Sequence, residues 1–369
     1  MRKKQTRNFT FALAFATQLL LVANAVGQTR HTPAMAAFNL AADQYRTGHY
    51  NQAVDSLKEA IAIEPNFAEA FNSLCVVYDK LDRKLDAVES CRRATNLKPS
   101  LAIAFRNLGI LYIDLKRSED AIKALKESIR LDANDELAHY HLGYAYASLL
   151  RYEDAAQTLE RSVKIRPTTP AYNELGVVYC ELGRYQECFN TFQIALSYEP
   201  NTAEFHSNLS TASYSLGRPA EAIESLQQAI RLKPDFAMAY ARLGQIYLHL
   251  GRYKEAVASM TRAIDLKLDE PVVYNDLGCA YARLKRFKEG AAVLMRATTL
   301  DPANATARFN LGLVRLRLDD KDQALDQYAV LKSLDPNLAQ RLLGLIFDRK
   351  LVNVTHADFA FAETKRTRE

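Results

Sequence analysis

Five cysteines, seven histidines and a recurring set of asparagines and arginines are the residues of this 369-residue chain best suited to chemistry. A metal site would need Cys or His in close pairs, and the sequence has no CxxC. His139 and His141 stand two apart, a spacing that sends them to different faces of a helix. The acidic pairs Glu153–Asp154 and Asp319–Asp320 fall around expected turns and read as solvated, not as an acid–base couple. The motifs GxSxG, GxxxxGKS/T, GxGxxG and HExxH do not occur. These features point away from an enzyme, a metal and a cofactor.

What remains is recognition chemistry. Asn39, Asn107, Asn208 and Asn310 recur at one position of a repeat, each offering a donor and an acceptor. A ladder of such amides suits the backbone of an extended peptide. Arg106, Arg242 and Arg283 suit carboxylates. Ile103, Ile110, Ile113, Leu137, Tyr140, Tyr144 and Val177 would form an apolar patch of the kind that marks a contact surface. Two readings stand for this patch: an open wall that grips a partner, or tight packing that covers it.

The elements that position these residues come from a 34-residue period running over 34–338. Nine copies align, the fourth one residue short. Position 7 is Leu in every copy, from Leu40 to Leu311. Positions 8 and 20 are small throughout, as at Gly109 and Ala121 or Gly278 and Gly290. Position 11 is Tyr in six copies. Positions 4, 7, 8 and 11 share one helical face, as do 20, 24 and 27, so each copy predicts two helices with complementary stripes. One such hairpin cannot bury its apolar face alone, and copies must stack. Asn66, Ser100, Asn134, Thr168, Asn201, Asp235, Asp269 and Asn337 are expected N-caps, most of them after a proline.

The Leu-Gly pair at 7 and 8, Tyr at 11, Ala at 20 and 27 and Pro at 32 resemble the tetratricopeptide repeat family over about four-fifths of the chain. Ser213 and Arg315, in place of Tyr, are local departures. The resemblance implies an all-α solenoid of about nine stacked helix–turn–helix repeats in a right-handed superhelix. It also implies that positions 2, 5, 6, 9, 12 and 13 line a concave groove, the place of all the recognition residues above. The Lys/Asn pattern by which some members clamp acidic chaperone tails is absent: the corresponding residues are Arg106, Ile110, His141, Pro170 and Glu174.

Segments outside the repeats divide as 1–25 signal peptide, 26–33 linker, 339–350 capping helix and 351–369 flexible tail. Arg2, Lys3, Lys4 and Arg7 precede the apolar stretch Phe9–Val22, and Ala23-Asn24-Ala25 offers small residues for cleavage. An uncleaved anchor is the competing reading, against which the stretch is short for a span and broken by Thr17 and Gln18. Cleavage near Ala25 predicts an exported protein, periplasmic or secreted, with no stable membrane span. Losing the four leader charges takes the formal charge from +5 to +1, which gives no support to nucleic-acid binding.

An oxidising compartment bears on the cysteines. Cys75 and Cys91 occupy positions 8 and 24, on facing stripes, and read as a disulfide or as two small core residues. Cys180 and Cys188 hold positions 12 and 20; position 12 is read as pointing away from the partner helix, so no bridge is expected there. The sequence thus predicts a non-catalytic exported scaffold that binds a protein or peptide segment in its groove. The alternative is an accessory subunit of an envelope enzyme or of an assembly or export complex, as in polysaccharide or outer-membrane biogenesis.

Overall fold

Gly109 lies so close to the neighbouring helix that a Cβ built on it would fall 2.5 Å from Leu125 Cγ. That approach, repeated from hairpin to hairpin, generates the fold. The structure is a computed structural model and describes residues 32–347. The leader and most of the linker, residues 348–350 of the expected cap and the expected tail lie outside the described residues.

The described residues form nineteen helices and no strand. They divide between Thr191 and Phe192 into two compact units. Unit 1 holds α1 (Pro33–Arg46), α2 (Tyr50–Ile63), α3 (Ala68–Lys80), α4 (Lys84–Leu97), α5 (Ala102–Asp114), α6 (Ser118–Leu131), α7 (Glu136–Ser148), α8 (Tyr152–Ile165) and α9 (Thr169–Glu181). The division falls inside α10 (Tyr185–Tyr198). Unit 2 continues with α11 (Ala203–Ser215), α12 (Pro219–Leu232), α13 (Ala237–His249), α14 (Tyr253–Asp265), α15 (Pro271–Arg283), α16 (Phe287–Leu300), α17 (Ala305–Arg317), α18 (Lys321–Leu334) and α19 (Pro336–Phe347).

In unit 1 each helix packs on its successor, and the first helices of successive hairpins also touch: α3 on α5, α5 on α7, α7 on α9. Unit 2 repeats the scheme with α13 on α15 and α15 on α17. Phe38, Leu57, Leu125 and Leu159 are fully buried in unit 1, and Leu226, Met260, Leu294 and Phe309 in unit 2. Each such side chain contributes roughly 1.5–3 kcal/mol by leaving water. The last hairpin is closed differently. Gly312 receives Leu342 of α19, whose Cδ2 would lie 2.6 Å from an added Cβ, so the terminal helix fills the small-residue slot. No helix among the described residues is long and apolar enough to cross a membrane.

All nine hairpin turns place one residue in the left-handed region: Gly48, Asp82, Lys116, Leu150, Gly183, Gly217, Gly251, Lys285 and Asp319. The amide after it bonds back to the first helix, as Arg83 N does to Tyr78 O at 2.9 Å, which closes the last turn of each first helix. The next residue is Arg in seven hairpins. Arg83, Arg117, Arg151 and Arg184 in unit 1 lie over Tyr78, Tyr112, Tyr146 and Tyr179; Arg252 and Arg286 in unit 2 lie over Tyr247 and Tyr281. The guanidinium carbons stand 4.3 to 4.7 Å from the ring centres. Each Arg also pairs with the acid three residues on, such as Asp86 or Glu255. Position 11 therefore carries Tyr because the turn arginine covers it.

Of the expected N-caps, Thr168 stands at the cap position of α9 without a side-chain hydrogen bond, and the others require correction. Asn66, Ser100 and Asp235 lie inside the connecting turns, and the helices begin after Phe67, Leu101 and Phe236. The proline before each expected cap sits in a tight turn closed by the following residue, with Phe67 N bonded to Glu64 O at 3.1 Å and Phe236 N to Lys233 O at 3.0 Å. That turn uses one more residue before the helix can start. Side-chain caps occur at Asp135, one position after the expected Asn134, and at Asn304. Asn337 lies within α19, which begins at Pro336.

Candidate functional site

The cysteines of unit 1 form two bridges. Cys75 on α3 is joined to Cys91 on α4, Sγ–Sγ 2.08 Å, both buried. Cys180 on α9 is joined to Cys188 on α10, contrary to the expectation from position 12. Position 12 lies one turn beyond position 8, on the stripe that faces the partner helix, and position 20 comes just after the hairpin turn. In unit 2, Cys279 is a buried thiol that accepts from Asn310 Nδ2 at 3.3 Å, and burial raises its pKa well above the ordinary thiol value.

Five of the expected groove residues are taken up inside the stack. Arg106, 4 % exposed, places Nη1 2.7 Å from Asp135 Oδ2. Asp135 Oδ1 in turn accepts from the amides of Leu137 and Ala138, so Arg106 neutralises the cap of α7 and is not held ready for a partner's carboxylate. Asn107 Nδ2 donates to Asn72 Oδ1 at 2.9 Å, and in unit 2 Asn310 Nδ2 donates to Asn275 Oδ1 at 2.9 Å. Both bonds span 35 residues. One position more than the repeat period carries position 6 of one hairpin to position 5 of the one before. The amides thus ladder with each other and not with open solvent. Ile110 and Ile113 are buried as well, because α5 packs against both α3 and α7.

The other residues keep more surface. In unit 1, Asn39 is exposed at the N-terminal end, while Ile103, Leu137, Tyr140, Tyr144 and Val177 are half-buried. They lie on α5, α7 and α9, three successive first helices each touching the next, and form a partly open apolar and aromatic wall. Tyr140 stands edge-on to the buried His141 ring at 4.9 Å. Glu174 and Glu181, also on α9, give the neighbourhood negative character, and Asp114 at the end of α5 pairs with Lys84 at 3.1 Å. His139 points elsewhere: its Nε2 lies 3.2 Å from Ala133 O in the preceding turn, and burial lowers its pKa.

Unit 2 places polar groups at several inner positions, beside apolar residues such as Met238, Val272, Phe309 and Leu313. Arg242 Nη1 reaches Ser207 O at 2.9 Å, Ser207 Oγ at 3.0 Å and Asn208 Oδ1 at 3.4 Å. Arg283 is half-buried. Asp276 accepts from Gln245 Nε2 at 2.9 Å and from Asn275 Nδ2 at 3.2 Å. Burial raises its pKa to about 6 despite those two bonds. A chain of polar contacts therefore joins Gln245, Asp276, Asn275 and Asn310 across α13, α15 and α17. The sequence signal for it was an acid and an asparagine side by side at positions 5 and 6, which reads as solvent-facing when hairpins are considered singly.

Comparison with known proteins agrees with this architecture. Residues 137–339, more than half the chain, match the family model of the cilia and flagella-associated protein 70 C-terminal domain, and residues 111–149 match the TPR repeat model. No curated protein matches the chain. Among solved structures, PilW, titled a widely conserved type IV pilus biogenesis factor, is 23 % identical with a TM-score of 0.50, over 56 % of this chain and 96 % of its own. A tetratricopeptide repeat protein from Parabacteroides merdae is 18 % identical with a TM-score of 0.49, over 66 % of this chain and 97 % of its own. YrrB, titled a TPR protein with an unusual peptide-binding site, is 20 % identical with a TM-score of 0.47, over 50 % of this chain and 96 % of its own. The repeat register, the hairpin packing and the long match over 137–339 converge on one assignment: this chain belongs to the tetratricopeptide repeat family.

Proposed function

We propose that the protein is a non-catalytic, exported scaffold whose wall in unit 1, Ile103, Leu137, Tyr140, Tyr144 and Val177, captures an apolar segment of a protein partner. One observation carries the reading. The polar candidates Arg106 and Asn107 are buried and engaged by the protein's own groups, whereas these apolar and aromatic side chains keep part of their surface in water. Partly exposed aromatic anchors on a rigid helical support are the usual centres of binding energy. The signal-like leader and the two disulfides of unit 1 support export, because such bridges persist in oxidising compartments.

A photo-crosslinking residue placed at Val177, with a second at the exposed Arg161 of α8, tests the wall in the native host. Crosslinks to a partner from position 177 and none from 161 are expected. Crosslinks from 161 alone would select the accessory-subunit reading, with docking on the outer helices, and reject the wall.

A further inference from the structure

The Cys180–Cys188 bridge takes no part in the wall, and it differs from its neighbour in one respect. Cys75 and Cys91 are 1 % and 0 % exposed, so neither sulfur of that bridge can be reached without opening the hairpin. Cys188 is likewise 0 % exposed. Cys180 is only half-buried, on the last turn of α9, one turn beyond Val177 and beside the exposed Glu181. Its partner Cys188 is the fourth residue of α10, with its amide bonded to Arg184 O at 2.9 Å. Thiol–disulfide exchange needs a sulfur that a thiolate can approach and a second sulfur able to leave as a thiolate. Access at Cys180 alone fixes the order of attack and leaves Cys188 as the sulfur that departs.

We infer that Cys180 is a thiol-exchange site, at which a small-molecule thiol is taken up as a mixed disulfide. The incoming thiolate attacks Cys180 Sγ, forming a new S–S bond as the Cys180–Cys188 bond breaks. The bonding pair leaves on Cys188 Sγ, which takes a proton from water. A second thiol then attacks the sulfur of the bound one, releasing a small-molecule disulfide and leaving Cys180 and Cys188 as thiols. Two thiols are oxidised to one disulfide while one protein disulfide is reduced to two thiols. Cys279 takes no part in either step, since it is buried and its pKa is raised. The inference stands whether or not the wall binds a partner.

The test uses the full oxidised chain and reduced glutathione under native conditions, with acid quenching, alkylation and non-reducing peptide mass mapping. A glutathione adduct on Cys180, formed at least about tenfold faster than the Cys75–Cys91 bridge opens, is expected from the difference in access. An adduct on Cys188, parallel opening of both bridges, or no adduct while helicity is intact would each overturn the assignment. In a second arm, Cys188→Ser leaves Cys180 as a thiol, and iodoacetamide should label it well before Cys279. Equal labelling of the two in a folded variant would also reject the site. The wild-type arm stands if that variant does not fold.

Discussion

Units 1 and 2 are built from the same hairpin and share an Asn–Asn bond between successive first helices, yet differ in what else their inner positions hold. Unit 1 staples two hairpins with disulfides, ties Arg106 to Asp135 and leaves an apolar, tyrosine-bearing wall partly open. Unit 2 runs a chain of hydrogen bonds from Gln245 to Asn310 through a buried carboxyl and fills its last small-residue slot with a terminal helix. The shared small, Leu and Tyr positions make the stack. The variable positions between them decide whether a first helix spends its polar groups on its neighbour or keeps side chains for something else.

Removing the ion pair of unit 1 should have the largest effect. Arg106→Ala strands the Asp135 carboxylate at a site 7 % exposed and should cost about 3 kcal/mol. Hydrogen exchange should quicken over α5–α7 and stay unchanged in unit 2. A uniform change in both units would show that their stabilities are not separately held.

The matching experiment in unit 2 is a pH titration. The pKa of Asp276 in the folded protein, about 6, exceeds the ordinary carboxyl value of 3.8. The folded protein therefore holds a proton that the unfolded chain has released between those values, and this group's contribution falls as pH rises from about 4 to 6, then stays level. Relative to Asp276→Asn, the wild type should lose up to about 3 kcal/mol across that window, measured by denaturant unfolding of unit 2. A difference independent of pH would remove the buried carboxyl from the account.

A smaller effect compares one turn position in each unit. Leu150 holds φ +61° in unit 1 where Gly217 holds φ +76° in unit 2. Leu150→Gly should raise stability by about 1 kcal/mol, and Gly217→Leu should lower it by a similar amount. Melting curves of the two variants report both signs.

The architecture was legible because its rules are local. Leu at position 7 and a small residue at 8 recur every 34 residues, and their periodicity alone places them between helices. Features that depend on the next hairpin were not. Asn107 and Asn310 read as free amides until the contact between successive first helices brings Asn72 and Asn275 to them. Arg106 read as an anchor for a partner because its own counter-charge, Asp135, lies 29 residues away in the next connecting turn. The Cys180–Cys188 bridge was missed by reading position 12 as pointing away from the partner helix, although it stands one turn from position 8. The turn motif of Tyr, Arg and acid was readable, since Arg recurs at one position in seven hairpins with an acid three residues on.

The central claim is that unit 1 keeps its half-buried tyrosines for a partner. Its most direct test is calorimetric titration of a segment crosslinked at position 177 against the wild type and against Tyr140→Ala/Tyr144→Ala, with helicity measured alongside. The account predicts at least about tenfold weaker binding by the double variant with the helical signal intact, the scale expected when aromatic anchors are removed. Equal affinities in equally folded proteins would contradict it.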